Sequence, residues 1–230
     1  MRTETRILDF SGVYPDAGFP EALANLGIGF ERIGLRHIEG TSCYCDAEAA
    51  SAIRAALAGC GPEGLHWIDS GDYHYVTRFF LEKIRRPYTL VLLDNHTDRQ
   101  EPAFPGVLSC GSWVKDVMET DGNLQGVVSI GPLPEAERLG APDPGGPVYV
   151  SLDKDILSPT YARTDWSQGA YTLPQIFGIL SGVFSEASEI IGMDVCGARS
   201  VSKGASREDL FLNCRTDIEI QRFIMNYFNF

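Results

Sequence analysis

The sequence has no apolar run near the ~20 residues that cross a bilayer as a helix. Its first residues, Met1 to Arg6, pass from polar groups into a strand pattern, without the apolar segment of a secretory leader. No membrane association is therefore expected, and a cytoplasmic location is. Basic residues are scarce too, 19 Lys and Arg against 31 Asp and Glu, for a net charge of −12. A protein that tracks nucleic-acid phosphates carries the opposite balance, so no nucleic-acid partner is expected. Bound cations would neutralise part of such an acid excess. Repeats, low-complexity tracts and charged tails are absent. Cys43-x-Cys45 has no second pair to complete a structural zinc site, and the six cysteines are expected as reduced thiols. What is present is an ordinary globular composition, 44% hydrophobic over 230 residues, and residues 1–230 are read as one domain.

Short apolar runs alternate with longer helical patterns. Strands are expected at Arg6–Phe10, Leu65–Asp69, Tyr88–Asp94, Gly126–Gly131, Val148–Asp153 and Glu189–Asp194. The runs Thr89–Asp94 and Val148–Asp153 lack period-two alternation, as strands buried on both faces of a parallel sheet do. Helices fit between them at Asp46–Ala58, Tyr75–Arg86, Trp113–Glu119, Leu173–Ser185 and Asp217–Tyr227. Thr172 with Gln175, and Thr216 with Glu219, have capping-box spacing. Pro134 to Pro147 reads as a connector, and the segment from Gly12 to Cys45 has no assigned structure. The alternation predicts an α/β fold, a three-layer α-β-α sandwich around one mainly parallel sheet.

Ligands of an open parallel sheet bind outside the carboxyl ends of its strands. Three clusters fall there: Gly71-Asp72-Tyr73-His74, Asp94-Asn-His96-Thr-Asp98 and Ser151-Leu-Asp153-Lys-Asp155. Alternate residues of an extended segment point the same way, so Asp94, His96 and Asp98 are expected to face one point, as are Asp153 and Asp155. With His74 this brings two imidazoles and four carboxylates to one pocket, where unpaired carboxylates would raise one another's pKa steeply. Divalent cations remove that repulsion. The mixed nitrogen and oxygen set suits Mn²⁺, Zn²⁺ or Fe²⁺ over Ca²⁺, and six ligands suit two ions better than one. An EF-hand fails because Arg99 stands at its sixth loop position and Pro105 at its twelfth. A single-iron triad would leave Asp153 and Asp155 without a purpose.

In these clusters the sequence resembles the arginase/agmatinase ureohydrolases, whose pattern is Gly-Gly-Asp-His, Asp-Ala-His-x-Asp and Ser-x-Asp-x-Asp-x-x-Asp-Pro. Gln168-Gly-Ala-Tyr-Thr-Leu173 also looks like that family's Gly-Gly-Leu-Thr segment. The resemblance spans roughly residues 64 to 200 and leaves the first 60 unmatched. It implies an arginase-like architecture with two Mn²⁺ per chain. One ion would be held by His74, Asp94, Asp98 and Asp153, the other by Asp94, His96, Asp153 and Asp155, with Asp94 and Asp153 bridging. A water shared by the ions would attack an sp² carbon, and Asp98 would accept its proton. The implied activity is hydrolysis of a non-peptide C–N bond in a small molecule, with guanidino and amidino compounds first. An amide deacetylase is the second reading and a metal-stabilised, non-enzymatic scaffold the third. Family members form trimers or hexamers, which leaves a homo-oligomer open for this shorter chain.

Two departures bear on substrate. Ser109-Cys110-Gly111 stands where the family has His-Gly, and Gly197 stands where a Glu would grip the guanidinium. Cys110, Trp113 and Gly197 are the expected substrate-side positions, with Arg99 and Arg163 on nearby loops. Cys110 and Cys196 are expected toward the cavity, and Asp194, Asp72 and Asn95 behind the ligands. His37 and His66 are expected in structural roles.

Overall fold

The structure, a computed structural model, describes residues 4–131 and 145–228. Most of the expected connector lies outside these residues. Nine strands occur among them: β1 (Thr5–Asp9), β2 (Phe30–Gly34), β3 (Tyr44–Cys45), β4 (Leu65–Ile68), β5 (Tyr88–Leu93), β6 (Leu108–Ser109), β7 (Leu124–Ile130), β8 (Pro147–Asp153) and β9 (Glu189–Cys196). Seven form a sheet in the order β2-β1-β4-β9-β8-β5-β7, with every neighbouring pair parallel. β3 and β6 make a separate antiparallel ladder beside the site. All six expected strands are present, each with its ends within two residues of those expected.

The α-helices are α1 (Val13–Ala17), α2 (Phe19–Asn25), α3 (Ala47–Ala56), α4 (Thr77–Leu81), α5 (Trp113–Thr120), α6 (Leu173–Glu186) and α7 (Arg207–Phe228). They divide between the two faces of the sheet. On one face Ile53 of α3, Phe79 and Phe80 of α4 and Val117 of α5 pack on Leu8, Ile68, Leu90 and Tyr149. On the other, Tyr14 of α1, Phe19 of α2, Leu180 of α6 and Ile220 of α7 pack on Ile7, Trp67, Val91 and Val150. Neighbouring residues of one strand thus enter opposite cores, which explains why the central strands lack period-two alternation. The architecture is the expected three-layer α/β sandwich.

Three local expectations change. The helix read from Tyr75 begins instead as a 3₁₀ segment, Gly71–Val76, and continues as the short α4. α7 starts ten residues before Asp217, and its reciprocal cap is Ser206 with Asp209, which exchange backbone N–H bonds of 3.1 and 3.0 Å. Thr216 therefore lies inside α7, where its hydroxyl donates to the Tyr161 carbonyl. The unassigned segment after Gly12 holds α1, α2 and the edge strand β2. The box at Thr172 and Gln175 is present as read.

Candidate metal centre

The clusters emerge from the carboxyl ends of β4, β5 and β8, with the end of β9 between β4 and β8. His74 sits on the 3₁₀ segment after β4, and Asp94, His96 and Asp98 follow β5. Asp153 ends β8, and Asp155 lies on the 3₁₀ turn Lys154–Ile156. Turns, rather than strand alternation, make the six residues converge. Asp98 has a φ of 51°, a left-handed conformation that Asp tolerates better than most residues, and this folds its carboxylate back toward His74. The Asp153 side chain caps its own turn by accepting the Asp155 N–H at 2.8 Å. Lys154 is fully buried and pins the same turn from behind, its Nζ 2.5 Å from Asp217 on α7.

His74 Nδ1 lies 3.0 Å from Asp98 Oδ2, 3.2 Å from Asp94 Oδ2 and 3.6 Å from Asp153 Oδ2. His96 Nδ1 lies 2.7 Å from Asp155 Oδ2 and 3.6 Å from Asp94 Oδ1. Ligand atoms of His74, Asp94 and Asp98 fall within 4.8 Å of one another, as do those of Asp94, His96 and Asp155, and those of His74, Asp153 and Cys196. Asp94 belongs to two of these groups, so the two cation-sized sites adjoin. Burial alone would depress the His74 imidazole, but the Cys196 sulfur and the Asp94 and Asp98 carboxylates hold it well above its ordinary value. Asp155 and Asp94 hold His96 up at about 10. Burial, with Asp155 and Asp94 beside it, raises Asp153, and burial raises Asp155 as well.

One proton on His74 Nδ1 cannot serve three carboxylates, and the buried Asp94 Oδ2 has no hydrogen-bond donor. The cluster's four carboxylates carry more negative charge than its two imidazoles can balance. Its donors, imidazole nitrogen and carboxylate oxygen, fit borderline divalent cations, so these residues fit a metal pair.

A cavity of about 120 Å³ opens above the cluster. Its wall beyond the acids and imidazoles is neutral, with Cys43, Tyr44, Gln100, Cys110 and Trp166 among its members. Cys110 lies where expected; burial first, then neighbouring charge, pushes its thiol far up, leaving it neutral. Trp113 is not on the wall. It is fully buried and donates its Nε1–H to Asp98 Oδ2 at 2.6 Å. Gly197 packs directly on the site: at its φ of 92° a Cβ would stand 2.0 Å from Asp153 Oδ1. Cys196 is buried, with its Sγ 3.2 Å from Asp153 Oδ2. Asp72 accepts from Ser42, Trp166 and Lys203, and Asn95 donates its N–H to Asp155. Arg99 reaches Ser129, and Arg163 pairs with Asp209. The wall residues missed include Cys43, Tyr44, Gln100 and Trp166, the last 41% exposed and 6.2 Å from the His96 ring. A large exposed aromatic in a loop close after Asp155 was the only signal of Trp166 in the sequence.

No family model matches the chain. It is 30% identical over 204 residues to an uncharacterized protein of Thermotoga maritima, covering 83% of this chain and 78% of that one. Among solved structures it is similar to a hypothetical agmatinase from Burkholderia thailandensis, at TM-score 0.63 and 17% identity, over 98% of this chain and 87% of that one. Formimidoylglutamase from Bacillus subtilis aligns at TM-score 0.64 and 12% identity, over 96% and 86%. Arginase from Bacillus caldovelox aligns at 0.60 and 14%, over 94% and 97%. At such identities these structures establish the fold. The chain belongs to one family with the Thermotoga protein, and that family has the arginase/ureohydrolase fold.

Proposed function

We propose that this chain is a binuclear manganese-dependent hydrolase of a non-peptide C–N bond in a small guanidino or amidino compound. The observation that carries the reading is the pair of ligand groups sharing Asp94, with a buried Asp94 oxygen that no hydrogen bond satisfies. His74, Asp94, Asp98 and Asp153 would hold one ion, and Asp94, His96, Asp153 and Asp155 the other. When bound, the ions supply Lewis acidity, making water nucleophilic near neutral pH and polarising the carbon it attacks. Asp98 takes up the released proton at its carboxylate, which the Trp113 indole N–H holds in place. Cys110, a neutral thiol, forms wall and donates at most an S–H, so it is not the nucleophile. All six cysteines stand as free thiols, in keeping with a cytoplasmic setting.

Gly197 favours one second reading. No carboxylate can grow from that position while Asp153 keeps its place, so the usual charged grip on a guanidinium is missing and an amide becomes a competing substrate. A panel of guanidino, amidino and N-acetyl compounds, offered to the Mn²⁺-loaded protein, separates the two. Release of urea or ammonia supports the first reading and release of acetate the second. No turnover of any member, at full metal occupancy, would overturn both.

A further inference from the structure

Behind the site a row of polar side chains crosses an otherwise apolar layer. Strand registers place Arg6 of β1 beside His66 of β4, His66 beside Asp194 of β9, and Asp194 beside Ser151 of β8. Tyr149, two residues before Ser151, projects from the same face of β8. His66, Tyr149, Ser151 and Asp194 are each fully buried, and Phe80 stacks on the His66 ring at 3.8 Å. Polar groups buried at this depth are costly unless they bond to one another; these do, except for Asp194 Oδ2, which has no hydrogen-bond partner.

The bonds have one consistent direction. His74 Nε2 lies 2.9 Å from Ser151 Oγ, which donates to Asp194 Oδ1 at 2.7 Å. A serine hydroxyl has a single proton, and a carboxylate only accepts, so Ser151 Oγ must accept from a His74 Nε2–H. The Tyr149 hydroxyl faces the same Asp194 carboxylate. With its proton turned there, its oxygen accepts from His66 Nδ1–H, 3.2 Å away. His66 Nε2 lies 3.3 Å from Arg6 Nη1, which only donates, and 3.2 Å from the Glu63 carbonyl, which only accepts; Arg6 Nη1 itself serves that carbonyl at 3.1 Å, so Nε2 is taken to accept from the guanidinium. Burial and the Arg6 charge hold His66 down at about 3, so it carries one N–H, as this order requires.

We propose that Tyr149, His66 and Arg6 are positioning residues for the metal centre, which act through Asp194 and Ser151 to hold a proton of His74 on Nε2 and so aim Nδ1 at the carboxylates and the ion they would bind. The inference rests on the reading of His74 as a ligand. Groups behind a metal-binding imidazole set its orientation and basicity, and their loss weakens metal affinity by about 10–100-fold. The extended row makes that support reach across four strands.

The test uses Tyr149→Phe, His66→Leu and His66→Asn, the last restoring an N–H donor at the position of Nδ1. Two quantities are read in each: Zn²⁺ affinity by chelator competition, and the His74 Nε2–H resonance with its solvent-exchange rate by NMR, with and without Zn²⁺. Tyr149→Phe and His66→Leu are expected to weaken Zn²⁺ binding about tenfold and to move the resonance and speed its exchange. His66→Asn is expected to return both toward the parent. Unchanged affinity in the first two variants overturns the inference, whether or not the resonance moves. If the parent binds no divalent cation, the hydrolase reading falls separately. The metal-free resonance then decides whether the row holds His74: a shift in both variants supports the row and an unchanged signal overturns it.

Discussion

Gly197→Ala tests how tightly the site is built. The backbone there has a φ of 92°, which a residue with a Cβ adopts at a cost of about 1–2 kcal/mol. The added methyl would stand 2.0 Å from Asp153 Oδ1 and 2.9 Å from the Lys154 nitrogen. The Asp153 carboxylate must retreat by more than an ångström, yet its Oδ1 also holds the Asp155 N–H at 2.8 Å. Overpacking of this kind costs about 1–3 kcal/mol, so the total is about 3 kcal/mol. For a chain of this length that lowers the melting temperature by roughly 6–12 °C. Calorimetry on the metal-free protein reads this loss without involving the ions. Chelator competition then reads the second consequence, weaker binding at both sites, because Asp153 is assigned to both. A variant that melts within 2 °C of the parent and binds metal equally well would refute the reasoning.

Three further outcomes follow from buried groups. Asp217→Ala leaves the fully buried Lys154 ammonium without its partner and should cost about 3–5 kcal/mol in urea unfolding, whereas the double change Lys154→Met with Asp217→Leu should cost much less; equal losses would show that the pair does not hold the turn. His66 has a folded pKa of about 3, below its unfolded value, so the unfolded chain carries the extra proton between the two. Its contribution is intact above about pH 6.5 and falls as pH drops toward 3, by at most about 1.4 kcal/mol per unit, and His66→Asn should remove that part of the acid slope. An unaltered slope would contradict the assignment of a neutral His66. Trp113→Phe removes the N–H that holds Asp98 and should weaken metal binding about tenfold while the fold melts normally; unchanged affinity would show that Asp98 needs no such support.

The sheet was legible because its central strands are buried on both faces, and Thr89–Leu93 and Val148–Leu152 carry that burial as mainly apolar runs without period-two alternation. The edge strand β2 was not, since Phe30–Gly34 is half-exposed and polar enough to read as loop. The six acids and imidazoles could be picked out by type and by their place after strands. What aligns them could not, because the left-handed backbone at Asp98 and the tight turn at Asp155 leave no periodic trace. Trp113 was misplaced for a related reason: an aromatic opening a helix near the site looks the same in sequence whether it faces the cavity or the core. The polar row from Arg6 to Ser151 depends on the register of strands distant in the chain, which no local pattern records.

The most direct measurement of the central claim is the metal content and position in crystals of the protein grown with Mn²⁺, read by anomalous scattering at the manganese edge. Two peaks per chain are predicted, one among His74, Asp94, Asp98 and Asp153 and one among Asp94, His96, Asp153 and Asp155. A protein that remains empty there at saturating Mn²⁺, with these six side chains in place, would contradict it.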